Sequence, residues 1–220
     1  MKKLLIFDFD GTLVDTLTDV ALCFNEALEI HGYPQHSLDA FGGFVGGNLE
    51  TVVSRMLPLD VCTTQAVDRV KNTYRRIYLE SPKENSTPYP GMMALLEHCR
   101  ARGCLLAVNS NKGQALLDAM VEKLFPKGAF DAVVGYQEAF PSKPDPYGVR
   151  CIMERCGCSP ENAVYIGDGL SDVKTAQNAG IPCVFVTWGQ GYLDDPGAFE
   201  HVVEADSTDA LERLLFSDDI

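Results

Sequence analysis

The sequence predicts an α/β fold: a doubly wound parallel sheet with an all-helical segment inserted after its first strand. Three observations predict it. Short apolar runs without polar interruption recur along the chain, as expected of strands covered on both faces. Past residue 91 these runs alternate with stretches of helical periodicity. Between Asp15 and Pro88 the alternation lapses, and only helical spacing is found.

The first run is Leu4 to Phe7, which stops at Asp8. Similar runs are Leu105 to Val108, Ala132 to Val134, Ala163 to Ile166 and Cys183 to Val186, each ending at a polar residue or a glycine. Helices are expected over Met92 to Arg102, closed by Gly103, and over Gln114 to Leu124, Tyr147 to Cys156 and Thr208 to Phe216. Another runs to Ala179, with Ser171 as its expected cap and Gly180 beyond its end. In the insertion, Leu17, Val20, Phe24 and Leu28 share one helical face, and Leu49 to Leu57 and Gln65 to Leu79 supply two more helices. The stretch from Ser81 to Gly91 holds three prolines and a glycine and reads as the return linker. The domain expectation is a core of residues 1–15 and 89–220 and a helical cap of residues 16–88.

Composition narrows the function. A chain of 220 residues, 46% hydrophobic, has the material for a full core. A formal net charge of -13 disfavours nucleic acid and anionic membrane as partners. The eight cysteines form no C-x-x-C pair and the four histidines are scattered, so a zinc site lacks support and reduced thiols are expected. Asp8 and Asp10 cut the N-terminal apolar run too short for a signal peptide, and no stretch reaches membrane-spanning length. The expectation is a soluble cytoplasmic protein, a monomer or weak dimer.

Polar residues gather at the carboxyl ends of the expected strands, the edge where open α/β sheets bind ligands. Asp8 and Asp10 follow the first strand, Ser110 and Asn111 the second, and Asp168 and Asp172 the fourth. Lys143 sits in a proline-stiffened loop ahead of the helix that precedes the fourth strand. Residues i and i+2 of extended chain share a face, so Asp8 and Asp10 can enter one site. Their mutual repulsion is relieved by a hard cation such as Mg²⁺. Asp168 has no helix within capping reach and reads as a metal ligand. Asp172 suits a helix first turn as well as a site, and Ser110 suits an N-cap as well as a phosphate contact. Lys143 read singly is a surface lysine. Beside several aspartates it supplies the positive charge that a phosphoryl transition state requires.

The motifs resemble those of the haloacid dehalogenase superfamily of phosphatases. Asp8-Phe9-Asp10-Gly11-Thr12 matches its DxDGT signature, Ser110-Asn111-Lys112 its second motif, Lys143-Pro144 its third, and Gly167-Asp168-Gly169-Leu170-Ser171-Asp172 its GDxxxD fourth. Tyr89-Pro90-Gly91, Thr187-Trp188-Gly189 and the glycines between Phe41 and Asn48 are most similar to the phosphoglycolate phosphatase branch. One departure is Gly169, where many relatives carry Ser or Thr. The resemblance implies that Asp8 is the nucleophile and Asp10 the general acid–base. It further implies Mg²⁺ held by Asp8, Asp168 and the backbone carbonyl of Asp10, with Asp172 in support. Ser110, Asn111 and Lys143 would hold the phosphoryl oxygens, and Phe44, Gly46, Gly47 and Asn48 would face the substrate from the cap. Arg75 and Arg76 are further candidates for an anionic substrate, although solvated helix positions suit both. The substrate implied is a small phosphorylated metabolite, with 2-phosphoglycolate first.

Two other functions fit part of the pattern. A signalling receiver domain also takes a phosphoryl group on aspartate, but it has no helical cap and no second carboxylate at i+2. A sugar-phosphate mutase of the same superfamily shares the core motifs and differs in the cap.

Overall fold

A computed structural model describes residues 4–191, 193 and 195–217. The outer ends of the expected core, residues 1–3 and 218–220, lie outside the described residues. Six strands form one parallel sheet: β1 (Leu4–Phe7), β4 (Leu105–Gly113), β5 (Ala132–Tyr136), β6 (Ala163–Gly167), β7 (Cys183–Val186) and β8 (Val202–Ala205). Their spatial order is β5-β4-β1-β6-β7-β8. β1 is central, with Leu4 opposite both Leu105 and Ala163.

The unbroken apolar runs are explained by what covers each face. Leu5 and Phe7 point into one core cluster with Leu106, Val108, Val164 and Ile166. Leu4 and Ile6 point into the other with Ala107, Tyr165, Cys183 and Phe185. On the first face lie α5 (Met92–Ala101), α6 (Gln114–Leu124) and α9 (Thr208–Leu215), whose Leu95, Leu117 and Leu211 join that cluster. On the second lie α7 (Tyr147–Cys156) and α8 (Leu170–Ala179), through Ile152 and Val173. From β1 the chain builds outward to β4 and β5, then crosses to β6 on the opposite flank. The strand order therefore reverses beside β1, and the crevice at the carboxyl ends of β1 and β6 is the expected ligand site.

The insertion contains α1 (Leu17–Ile30), α2 (Leu38–Phe41), α3 (Leu49–Met56) and α4 (Thr64–Glu80). α1 and α4 pack through a parallel stack of Phe24 on Tyr74, with ring centroids 3.7 Å apart. Two short strands, β2 (Val14–Asp15) and β3 (Thr87–Pro88), pair antiparallel where the chain leaves and re-enters the core. Asp19 at the start of α1 ties down the returning chain: it accepts from Ser86 Oγ at 2.6 Å and from the Asn85 side chain at 2.9 Å.

The structure differs from the sequence expectations in several places. β2 and β3 bound the segment expected to be free of strands, and with two residues each they leave no periodic signal. β8 and α2 were not anticipated; β8 is an edge strand with only half-buried valines and an exposed Glu204. Ser171 does not cap its helix. Gly169 takes the cap position, two residues earlier, and α8 begins at Leu170, because the Asp172 carboxylate reaches back to the Gly169 N–H at 3.0 Å.

Candidate active site

Asp8 follows β1 directly, and its N–H donates to Ile166 O, which fixes the residue at the sheet edge. Asp8 Oδ1 accepts from Phe9 N at 2.7 Å and pairs with Lys143 Nζ at 2.8 Å. The chain then turns sharply, with Leu13 N and Val14 N both donating to Phe9 O and Gly11 at φ +80°. A Cβ on Gly11 would collide with the Asp168 carboxylate, so the glycine is required by space as well as by backbone conformation.

Asp168 follows β6 on the other side of the crevice. Its Oδ2 accepts from the backbone N–H groups of Gln190 and Gly191 at 2.9 and 2.8 Å, and its Oδ1 accepts from Thr12 Oγ1 at 3.1 Å. Trp188 Nε1 donates to Thr12 O at 3.1 Å and locks the loop after β7 against the turn after β1. Asp172 lies in the first turn of α8, where it serves as both cap and site residue. Oδ2 caps the helix, while Oδ1 accepts from Lys143 Nζ at 2.7 Å and from the Tyr165 hydroxyl at 3.3 Å.

Lys143 is therefore buried between two carboxylates. Burial alone would lower its pKa, but Asp172 and Asp8 outweigh that and hold it above the ordinary lysine value. Burial pushes the Asp8 carboxyl well up; Lys143 opposes this, and Asp172 and Asp168 add to it. Burial, then Asp172, raises Asp168 to about 6 against its donors Gly191 and Thr12. Asp8, Asp168 and Asp172 place ligand atoms within 4.8 Å of one another. Three carboxylates against one ammonium leave an excess of negative charge in a poorly solvated place. That donor set, all oxygen and doubly in excess, fits a hard divalent cation.

Asp10 stands apart from this cluster. Its Oδ1 accepts from Thr16 Oγ1 at 2.6 Å and pairs with Lys112 Nζ at 2.9 Å. Asp8 and Asp10 line the same cavity of about 640 Å³, but each has its own cation. The Ser110 hydroxyl also lines it, accepts from Lys112 N at 3.2 Å and so keeps its own proton to donate. Ser110 caps no helix, since Gly113 precedes α6. Asn111 is engaged elsewhere: Oδ1 accepts from Lys143 N at 2.9 Å, and Nδ2 donates weakly to Lys143 O and to Gly47 O. Its side chain braces the Lys143 loop.

Of the expected cap residues, Gly46, Gly47 and Asn48 line the cavity. Phe44 does not: its ring packs inside the insertion against His36 and Phe41. A glycine-rich loop can present an aromatic to either side, and here the apolar interior takes it. Arg75 lines the cavity, where it stands 6.0 Å from the Tyr136 ring centroid and 3.6 Å from Glu138. Arg76 points away and pairs with Glu80 on its own helix. Sequence reasoning missed the roles of Thr12, Thr16 and Lys112 and of the Gln190 and Gly191 amides. Their nearest signals were the DxDGT threonine, the lysine that closes Ser110-Asn111-Lys112 and the glycines around Gln190.

The haloacid dehalogenase-like hydrolase family model matches residues 5–186, which include every residue of this cluster. The chain belongs to this family. Among curated relatives, the phosphoglycolate phosphatase of Rhodobacter capsulatus is 32% identical, over 98% of this chain and 97% of that one. That of Aquifex aeolicus is 31% identical over 85% of each. A solved structure from Lactobacillus delbrueckii subsp. bulgaricus, described as a candidate phosphoglycolate phosphatase, superposes with a TM-score of 0.91 at 28% identity, covering 99% of this chain and 100% of that one. The family and these curated relatives together make the chain a phosphoric monoester hydrolase and give the aspartate cluster its context. No helix among the described residues is long and apolar enough to cross a membrane.

Proposed function

We propose that this hydrolase removes the phosphoryl group from 2-phosphoglycolate in two steps, through an aspartyl-phosphate on Asp8. The observation that carries the reading is the division of the cavity floor. One carboxylate, Asp8, sits with Lys143, Asp168 and Asp172, while a second, Asp10, sits with Lys112 and Thr16. That division suits one carboxylate to attack phosphorus and the other to carry a proton.

Asp8 Oδ1 is held by Phe9 N and Lys143, which leaves Oδ2 to attack. As the new O–P bond forms, the bond from phosphorus to the ester oxygen breaks and that oxygen takes a proton from Asp10. Asp10 Oδ1 is held by Thr16 and Lys112, so Oδ2 carries the proton. Water then attacks phosphorus and gives a proton to Asp10, the Asp8–phosphate bond breaks, and glycolate and orthophosphate leave. Lys143, the Ser110 hydroxyl and the Asn111 backbone hold the phosphoryl oxygens. Mg²⁺ would be held by Asp8 and Asp168, with Asp172 and the Asp10 carbonyl beside it, and when bound it neutralises charge on the transferring phosphoryl group. Residues 16–88 act as a cap that limits substrate size and excludes bulk water. The names of the curated relatives support the choice of substrate.

The test is kcat/KM for 2-phosphoglycolate against glucose phosphates, nucleoside monophosphates and pyrophosphate at equal Mg²⁺. A competitor that exceeds 2-phosphoglycolate by about tenfold, or about 1.4 kcal/mol of transition-state preference, removes the substrate assignment and leaves the phosphatase in place.

A further inference from the structure

Among the described residues four cations line the cavity, and the carboxylates around them differ. Lys143 pairs with Asp8 and Asp172, and Lys71 pairs with Glu50 at 2.8 Å and Asp68 at 2.7 Å. Arg75 faces the outer Glu138. Lys112 has one carboxylate, Asp10, although its side chain is 5% exposed. Among the described residues it also meets the Tyr78 hydroxyl at 3.4 Å, with the Tyr78 ring centroid at 4.6 Å and the Phe9 ring centroid at 6.0 Å. An ammonium has three protons to donate. Asp10 takes one and Tyr78 is a long second contact, so Lys112 has donor capacity left inside the cavity.

Its position gives that capacity a use. In the reaction proposed above, Asp10 touches the ester oxygen. In a phosphoglycolate a single methylene separates that oxygen from the carboxylate. Whatever adjoins Asp10 therefore adjoins the place the substrate's carboxylate must occupy. Unaided, a second carboxylate beside Asp10 would be repelled; a buried ammonium 2.9 Å from Asp10 Oδ1 reverses the sign. We infer that Lys112 determines specificity by binding the substrate's carboxylate. It thereby selects phosphate monoesters with an acid group one carbon from the ester oxygen. Tyr78, from the insertion, closes the far side of this subsite and joins recognition of the substrate to α4.

The inference rests on the proposed 2-phosphoglycolate reading, and the experiment separates the two. Ethyl phosphate has the same chain length with a methyl group in place of the carboxylate. The quantity read is the ratio of kcat/KM for 2-phosphoglycolate to that for ethyl phosphate, at fixed Mg²⁺, in wild type, Lys112→Met and Lys112→Arg. Lys112→Met slows both substrates, because Asp10 loses a partner. The expected result is that the ratio also falls by at least tenfold, about 1.4 kcal/mol, while Lys112→Arg keeps most of it. If Lys112→Met folds poorly, Lys112→Gln is read in the same way. Equal loss on both substrates would show that Lys112 serves Asp10 alone and overturns the inference, as does an unchanged ratio. Wild-type enzyme that turns over both esters alike overturns the substrate reading itself.

Discussion

Asp8→Asn should abolish turnover and, in the absence of metal, raise the melting temperature. The ligand atoms of Asp8, Asp168 and Asp172 lie within 4.8 Å of one another, so at an effective dielectric of about 20 each pair repels by at least about 3.5 kcal/mol. Asp8 has two such neighbours. Against that stands its attraction to Lys143 at 2.8 Å, about 6 kcal/mol on the same scale. The pair terms nearly cancel, and Lys143 keeps Asp172 at 2.7 Å in the variant. What remains is the cost of burying the Asp8 charge, which an amide avoids, so the variant gains on the order of 1–2 kcal/mol. For a chain of this size that is about 3–6 °C. The sign follows from the raised Asp8 pKa: folding favours the protonated acid, so the wild-type penalty is absent below the unfolded carboxylate pKa of about 3.9 and grows as pH rises towards the folded value. The assay is thermal melting of both proteins in chelator at neutral pH and at pH 3.5, then in saturating Mg²⁺. Wild type should gain about 2.7 kcal/mol from Mg²⁺ at a hundredfold excess over its Kd, and the variant less. A variant that melts at least 2 °C below wild type in chelator at neutral pH would refute the reasoning.

Asp10→Ala should still allow Asp8 to attack phosphate esters with good leaving groups and then stall, leaving phosphate on Asp8 for mass spectrometry to detect; normal turnover of poor leaving groups would exclude the acid–base role. Gly11→Ala should lose nearly all activity, because the added methyl meets the Asp168 carboxylate and the backbone is in the left-handed region; a kcat within threefold of wild type would contradict this. Asp168→Ala should weaken Mg²⁺ binding and turnover together, and full activity after chelation would exclude the metal. Asp19→Asn should cost about 2–3 kcal/mol in chemical denaturation at pH 7. Burial opposes the Asp19 charge, but the Ser86 and Asn85 donors outweigh it and depress the pKa, so that stabilisation is full above the unfolded value and fades as pH falls through the folded one.

Much of this was legible in the sequence because the physics is local. Strands buried on both faces must be apolar at every position, so β1 and β6 announce themselves in four or five residues. Carboxylates that end such strands have few structural uses, which is why Asp8 and Asp168 were found. Residues whose meaning depends on distant chain were less legible. The Asp168 carboxylate is oriented by amides more than twenty positions later, through a loop with no periodicity. Lys112 looks like any solvated lysine until Asp10 and Tyr78 are seen on either side of it. Phe44 misled because a turn rich in glycine does not say which way its neighbours face. Asn111 was legible as a site residue but not as a brace, since its partners belong to another loop.

The antiparallel pairing of Asp15 with Thr87 means that the inserted segment starts and stops about 5 Å apart. The segment between Asp15 and Thr87, with its four helices, meets the core as a two-stranded stalk. Closing so short a span costs the core little entropy whatever is carried above it, because that cost rises only with the logarithm of length. The pairing predicts that a change in the length of the helices between Asp15 and Thr87 leaves the register of β1 with β4 and β6 unaltered.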